Sequence, residues 1–91
     1  MTALTDNTAE ARFEMPVEGH IAFVAYRRSN DGVISLNHAE VPPALEGKGV
    51  GSRLVRATLD QVRSEGLKVI PRCSFIRAYI LRHPEYADLV A

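Results

Sequence analysis

A glycine-rich segment near the middle of the chain is the first candidate for binding a ligand. It consists of Glu46, Gly47, Lys48, Gly49, Val50, Gly51 and Ser52. Glycine at alternate positions permits positive φ angles and lets a bound group approach the backbone closely. The segment precedes a run with helical periodicity, so its amides would lie at a helix N-terminus, where phosphate binds well. The pattern indicates an anion site, and the alternative is a turn that merely contains three glycines.

Two further places in the chain could take part in acid–base or covalent chemistry. His38 and Glu40 are two residues apart, so on a strand their side chains would share one side, where the carboxylate could orient the imidazole. Cys73 lies near the start of a predicted helix, which favours the thiolate and allows a nucleophilic role. The alternative for His38 and Glu40 is a polar pair at a strand edge without a catalytic role. The alternative for Cys73 is a buried structural cysteine. The three histidines and the single cysteine show no metal-ligand spacing, so we expect no metal.

The secondary-structure elements that carry these residues are predicted in the order β-β-β-α-β-α. A Ser-Asn-Asp-Gly turn at residues 29–32 indicates a hairpin, and Gly66 is suited to end the first helix. Because a helix separates the last two strands, they should be parallel and joined by a right-handed crossover. The expected strands cover residues 12–18, 21–26, 33–41 and 67–70, the helices cover residues 50–65 and 74–82, and residues 85–91 form a short tail.

Length and composition predict one domain over residues 1–91, with residues 1–10 as a flexible tail. Apolar residues make up 46% and charged residues 24%, which is ordinary for a globular protein. No run approaches the roughly 18 apolar residues of a membrane-spanning helix, so no membrane partner is expected. The first ten residues lack a signal-peptide pattern, and a single cysteine fits the reducing cytoplasm.

The net charge is zero but unevenly distributed along the chain. Residues 1–47 hold three Lys/Arg against seven Asp/Glu, and residues 48–91 hold eight against four. A basic half that follows the glycines suits a ligand with several phosphates. Nucleic acid is not expected, because the total charge is neutral and the basic half has few aromatic residues for stacking.

Four ordered motifs resemble those of the GNAT superfamily of acyl-CoA-dependent N-acetyltransferases, and more narrowly its small single-domain members. The resemblance covers roughly residues 11–90. Glu46 stands where the superfamily usually has Gln or Arg, so its side chain should point away from phosphate, and Ala39 replaces the usual Thr. The motifs are His38-Ala39-Glu40-Val41, Glu46-Gly47-Lys48-Gly49-Val50-Gly51, Pro71-Arg72-Cys73-Ser74-Phe75 and Tyr79-Ile80-Leu81-Arg82-His83-Pro84-Glu85-Tyr86.

The resemblance implies a mixed α+β or α/β GNAT-like fold. An antiparallel three-stranded meander would be followed by α-β-α, with the last two strands parallel and splayed apart. Acetyl-CoA would lie in the gap between them. The backbone of Val41 would meet the pantetheine amides, and the backbone from Glu46 or Gly47 to Ser52 would hold the pyrophosphate.

The resemblance also implies roles for the reactive side chains. Glu40 or His38 would take the proton of the amine, directly or through water. Tyr79 would protonate the departing thiolate, and core packing is the alternative for this residue. Cys73 is either an acyl-accepting nucleophile or a structural cysteine that lines the cleft.

The expected function is acetyl transfer from the thioester of acetyl-CoA to an unidentified amine, on a small molecule or a protein. The alternative is a module that binds CoA or acetyl-CoA with little or no catalysis, because the chain is much shorter than a full GNAT enzyme. A plain interaction domain without a ligand is a third class. Binding of CoA separates that class from the first two.

Overall fold

The computed structural model describes residues 4–91, which form a five-stranded sheet and two α-helices. Short 3-10 segments, Pro43–Leu45 and Pro84–Leu89, precede α1 and follow α2. The strands are β1 (Thr5–Asn7), β2 (Arg12–Val17), β3 (His20–Arg28), β4 (Val33–Glu40) and β5 (Lys68–Pro71), and the helices are α1 (Val50–Ser64) and α2 (Ser74–Arg82).

The sheet order is β1-β2-β3-β4-β5, antiparallel throughout except for the parallel pair β4–β5. The predicted α+β class and the parallel last pair are therefore confirmed. The antiparallel part has four strands instead of three, because residues 5–7 of the expected tail form β1. Tyr26 and Arg28 hold this strand through Asp6, at 2.5 and 2.8 Å. Residues 1–3 of the expected tail lie outside the described residues.

The C-terminal residues are packed rather than forming the short tail expected for residues 85–91. Tyr86 and Leu89 are buried, and the Tyr86 hydroxyl donates to the Asp60 carboxylate at 2.6 Å. The amide of Ala91 donates to the Val69 carbonyl at 2.9 Å, so the chain end lies along β5. These contacts are non-local, which is why local turn signals did not reveal them.

Both helices cover one side of the sheet, which we call the covered face. Alternate residues of the strands point to it, as the period of an extended strand requires. The opposite side, called the open face, carries half-buried or exposed side chains such as Arg12, Phe23 and Ile70. The core on the covered face includes Phe13, Met15, Val24, Ile34, Leu36, Leu54, Leu59, Val69 and Ile76.

A β-bulge in β4 decides where its polar residues lie. Tyr26 is paired with Leu36, but the next residue back, Ala25, is paired with His38, so β4 contains one extra residue at Asn37. An extra residue moves every later side chain to the other side of the sheet. Leu36 therefore faces the helices, whereas His38 and Glu40 face outward on the open face.

Candidate functional site

The parallel strands separate at one end and create an opening, which we call the fork. Pairing between β4 and β5 ends at Leu36 and Pro71. The amides of Arg72 and Cys73 both donate to the Leu36 carbonyl, at 3.0 and 3.2 Å, before the chain enters α2. Residues 37–40 continue β4 without a β5 partner in the described part of the chain. One backbone edge of β4 is therefore available along the fork.

The glycine loop, residues 46–52, stands at the mouth of the fork. Gly47 and Gly49 have φ angles of 80° and 73°, and a Cβ added at either would meet no atom within 4 Å. Gly49 is the N-cap of α1, and neither a side-chain cap nor an acidic residue occupies the first turn. The first helical bond runs from the Arg53 amide to the Gly49 carbonyl at 3.2 Å, so the preceding amides lack helical acceptors. These amides can receive an anion.

Gly51 serves a different purpose from the other two glycines. A Cβ at this position would lie 3.1 Å from Cζ of Phe75 and 3.6 Å from Cγ2 of Val41. Because the side chain is absent, the first turn of α2 and the residue after β4 can approach the start of α1 closely. The glycine loop, Val41 and the beginning of α2 therefore meet at the same mouth.

The charged residues of the loop make contacts that the sequence did not reveal. The Lys48 ammonium lies 2.8 Å from the carboxylate of Glu18, in the turn between β2 and β3. This hydrogen bond lowers the pKa of Glu18, and both side chains remain well exposed. Glu46 is exposed and donates its backbone amide to Pro43 at 3.2 Å. Glu18 has a φ of 50°, which is uncommon for a residue other than glycine.

His38 and Glu40 form a hydrogen-bonded pair on the open face, beside the fork. Nε2 of His38 lies 2.8 Å from Oε1 of Glu40, and the two side chains are 59% and 54% exposed. The Phe23 ring and the imidazole are inclined at 63° to each other, with centroids 6.3 Å apart. The shared orientation predicted from their spacing is observed. A carboxylate in this position can fix the orientation of the imidazole through the hydrogen bond to Nε2.

Cys73 lies at the closed end of the fork, as the N-cap of α2. Ser74, which was expected to cap this helix, is instead its first residue, and no side-chain cap is present. The cysteine is partly buried against the core. Arg77 folds back over this turn, and its guanidinium donates to the carbonyls of Pro71 and Arg72, at 3.2 and 2.8 Å.

Tyr79 belongs to α2, and its side chain is buried in the core. Its ring stacks on His83 at 4.0 Å and is 6.2 Å from the ring of Tyr86. Burial raises the pKa of Tyr79, and its hydroxyl has no hydrogen-bond partner among residues 4–91. The structure thus places His38 beside Glu40, Cys73 at the fork, and Tyr79 in the core beside His83. The roles of all four stay predictions.

Two kinds of site are not found in the described chain. Residues 4–91 contain no group of three or more His, Cys, Asp or Glu arranged to hold a metal ion. Neither α-helix in this range is long and apolar enough to cross a membrane.

Comparison with known proteins gives consistent matches. A family model described as GCN5-related N-acetyl-transferase matches residues 12–89. Protein NATD1 of Homo sapiens is 35% identical over 63 residues, which is 69% of this chain and 56% of that protein. Protein NATD1 of Danio rerio is 30% identical over 71 residues, 76% and 64% of the two chains. The chain thus spans less than two thirds of the length of these relatives.

A solved structure agrees with these sequence matches. The NMR solution structure of a GCN5-like protein from Staphylococcus aureus superposes with a TM-score of 0.73 and 26% identity. The match covers 98% of this chain and 87% of the other, so the GNAT-like fold is shared almost throughout. By sequence and by fold, the chain belongs to the GCN5-related N-acetyl-transferase family.

Proposed function

We propose that this protein binds acetyl-CoA in the fork and transfers the acetyl group to an amine, on a small molecule or a protein of the cytoplasm. The observation that carries the proposal is the uncapped start of α1 beside an unpaired edge of β4. An extended ligand can pair with such an edge as an added strand, and its anionic end can bind the helix amides. The residues of the fork therefore fit the two chemically different parts of CoA.

Different residues would hold different parts of the cosubstrate. The backbone from Gly47 to Ser52 would bind the pyrophosphate, with Glu46 contributing backbone atoms alone. Val41 and the free edge of residues 37–40 would pair with the pantetheine amides. Acetyl-CoA would supply an activated acetyl thioester. Lys48 could also reach the phosphates once it leaves Glu18, at the cost of one exposed ion pair.

The open face would supply the proton chemistry. Glu40, through His38 or through water, would take the proton that the attacking amine loses. Tyr79 would give a proton to the departing thiolate, which requires its hydroxyl to become accessible from the fork. In the alternative route the Cys73 sulfur accepts the acetyl group, CoA leaves as the thiolate, and the amine then takes the acetyl group from the cysteine.

A CoA-binding module without efficient catalysis is the second candidate. The observation that favours it is the exposure of His38 and Glu40, since no element of residues 4–91 covers the open face above them. A catalytic base is more effective in a site from which water is excluded. Turnover of amines in the presence of acetyl-CoA decides between the two candidates.

Calorimetric titration with acetyl-CoA and with free CoA tests the proposal, using Gly49→Val and Gly66→Val as a matched pair. Both glycines have positive φ, at 73° and 71°, and mark opposite ends of α1, so both valines introduce similar backbone strain. We expect Gly49→Val to abolish binding and Gly66→Val to retain it. Equal affinities in two folded variants would refute the glycine-loop site.

Intact-mass spectrometry on the same samples separates the two chemical routes. An added acetyl group that is absent in Cys73→Ala would establish the covalent route. If transfer to an amine survives in Cys73→Ala without such an adduct, direct transfer is the mechanism.

A further inference from the structure

A second concave site lies on the open face, at the other end of β4 from the glycine loop. It has a volume of about 260 Å³. None of the residues that line it belongs to the proposed acetyl-CoA site or to the proposed catalytic group. We call it the arginine pocket, and it is lined by Arg27, Ser29, Val33, Ser35, Ile70 and Arg72.

The strand register brings the polar residues of the arginine pocket together. Arg27 of β3 is paired with Ser35 of β4, and Ser35 is paired with Ile70 of β5. Residues paired across neighbouring strands point to the same face, so these three form one row on the open face. Arg72 follows directly after β5, and its amide is anchored to Leu36. Arg27, Ser35 and Arg72 therefore line one pocket.

The arginines of this pocket differ from three others in the chain. Arg12, Arg28 and Arg63 each form an ion pair with a carboxylate. Within residues 4–91, neither Arg27 nor Arg72 has a carboxylate partner within 4.0 Å. Two arginines that share a pocket without an acidic partner can bind an external carboxylate or phosphate.

One acidic residue borders the pocket through Ser29. The Ser29 hydroxyl donates to the Asp31 carboxylate at the tip of the hairpin and approaches the Val33 carbonyl at 2.9 Å. The hydrogen bond from Ser29 lowers the pKa of Asp31. Ser29 is therefore engaged within the hairpin. The Ser35 hydroxyl makes only a long contact, 3.5 Å to the Arg27 carbonyl, and remains available to a ligand.

We infer that the arginine pocket binds an anionic group, a carboxylate or a phosphate, carried by the amine that accepts the acetyl group. Its role in transfer depends on the function proposed above. The pocket lies too far from the glycine loop to bind the CoA phosphates that this loop is proposed to hold. Ser35 precedes Val41 by six residues, roughly 20 Å of strand at about 3.3 Å per residue. The glycine loop lies beyond Val41.

The same pocket adjoins the closed end of the fork. Arg72 is the neighbour of Cys73, and the amides of both residues donate to the Leu36 carbonyl. An anion between Arg27 and Arg72 would hold the rest of the acceptor beside the point where the thioester ends. Arginine is well suited to this task, because its planar fork fixes the orientation of a carboxylate or phosphate.

Amide chemical shifts during titration with phosphoethanolamine and inorganic phosphate test the pocket without any need for transfer. We expect shifts at Ser35, Ile70 and Arg72 that saturate with a common affinity. Arg72→Gln should weaken this binding at least about tenfold, since charged hydrogen bonds are lost. Arg82→Gln, which removes a similar charge from the exposed end of α2, should leave it unchanged. Chemical-shift changes confined to Gly47, Gly49 and Gly51, or equal effects of the two variants on affinity, would show that the anion does not bind in the arginine pocket.

Transfer assays then test the link to the acceptor. With acetyl-CoA we expect kcat/KM for phosphoethanolamine or β-alanine to exceed that for ethanolamine or propylamine at least about tenfold. Arg27→Gln and Arg72→Gln should remove this preference without reducing acetyl-CoA affinity. If anions bind the pocket but wild type shows no preference, the acceptor assignment is wrong. If anions bind while acetyl-CoA does not, anion binding by the arginine pocket is supported and the proposed transferase function is wrong.

Discussion

The two faces of the sheet differ in what their side chains do. The covered face is apolar and closed, and Phe13 and Ile34 of the sheet and Leu54 of α1 are fully buried there. The open face carries polar and aromatic contacts, in which the Arg12 guanidinium lies over the Phe23 ring at 4.4 Å and the His38 imidazole lies 6.3 Å from the same ring between centroids. One bulge at Asn37 is enough to place Leu36 on the first face and His38 on the second.

Because the two faces differ in this way, the stability of the fold and the chemistry of the site can be changed separately. Substitutions on the covered face should lower the free energy of unfolding, because they remove packed apolar surface. Substitutions on the open face should change ligand binding and turnover while the fold persists, because exposed polar residues contribute little to stability.

Removal of the carboxylate beside His38 should have the largest effect. We expect Glu40→Gln to reduce kcat by about 10²- to 10⁴-fold, the usual contribution of a general base, with little change in thermal stability. Glu14→Gln provides a matched control, because Glu14 also lies on the open face but is paired with Arg12. Steady-state rates and melting curves measured together check this. An active Glu40→Gln variant would exclude Glu40 as the base.

In the core on the covered face, Leu54→Ala should cost about 2–5 kcal/mol of unfolding free energy, because this side chain of α1 is fully buried. Leu81→Ala is the matched control on α2, where the side chain is 84% exposed and a change within about 0.5 kcal/mol is expected. Urea denaturation of both variants provides the measurement. Similar losses for the two leucines would contradict the assignment of the core to this face.

The pH dependence of the unfolding free energy tests the packing of Tyr86. Burial and the hydrogen bond to Asp60 raise the pKa of Tyr86 to about 12, above the unfolded value of about 10. The neutral phenol is therefore the form that stabilises the fold. Its contribution is complete below about pH 10 and is lost as the pH rises towards about 12.

We expect Tyr86→Phe to lose about 1 kcal/mol at neutral pH, through the missing hydrogen bond. The stability difference from wild type should shrink as the pH rises through this window. Urea titrations across the alkaline range check this, and a difference that stays constant would mean that Tyr86 does not titrate as described.

The smallest expected effect is at the mouth of the fork. Glu46→Arg should tighten acetyl-CoA binding by about 0.3–1 kcal/mol, because it exchanges a negative charge near a helix N-terminus for a positive one. The gain should decrease with added salt. Glu10→Arg makes the same exchange on an exposed turn, and calorimetry should show no effect there. Weaker binding in Glu46→Arg would reveal a favourable contact of the native carboxylate.

The sequence was sufficient to predict the parts of the fold that depend on local patterns. Residues close together in the sequence specify three of these features: the apolar stripe of α1, the hairpin turn at residues 29–32 and the end of α1 at Gly66. Four ordered motifs also predicted the family, which the comparisons confirm.

The remaining features depend on contacts between distant residues. β1 is short and polar, and Tyr26 and Arg28 hold it from another strand. The bulge at Asn37 needs one extra residue in the pairing of β3 with β4, which no alternation pattern specifies. The arginine pocket requires the register of three strands, so Arg27 and Arg72 could not be brought together from the sequence alone.

The fork has a consequence for the behaviour of the protein in concentrated solution. An extended edge with free amides and carbonyls is a template on which another chain can add a strand, and proteins commonly protect such edges. Residues 37–40 present this edge in the part of the chain that the structure describes. A ligand that pairs with it would act as a protective cover. We therefore expect acetyl-CoA to suppress self-association, so that the supply of the cosubstrate would also set the solubility of the protein.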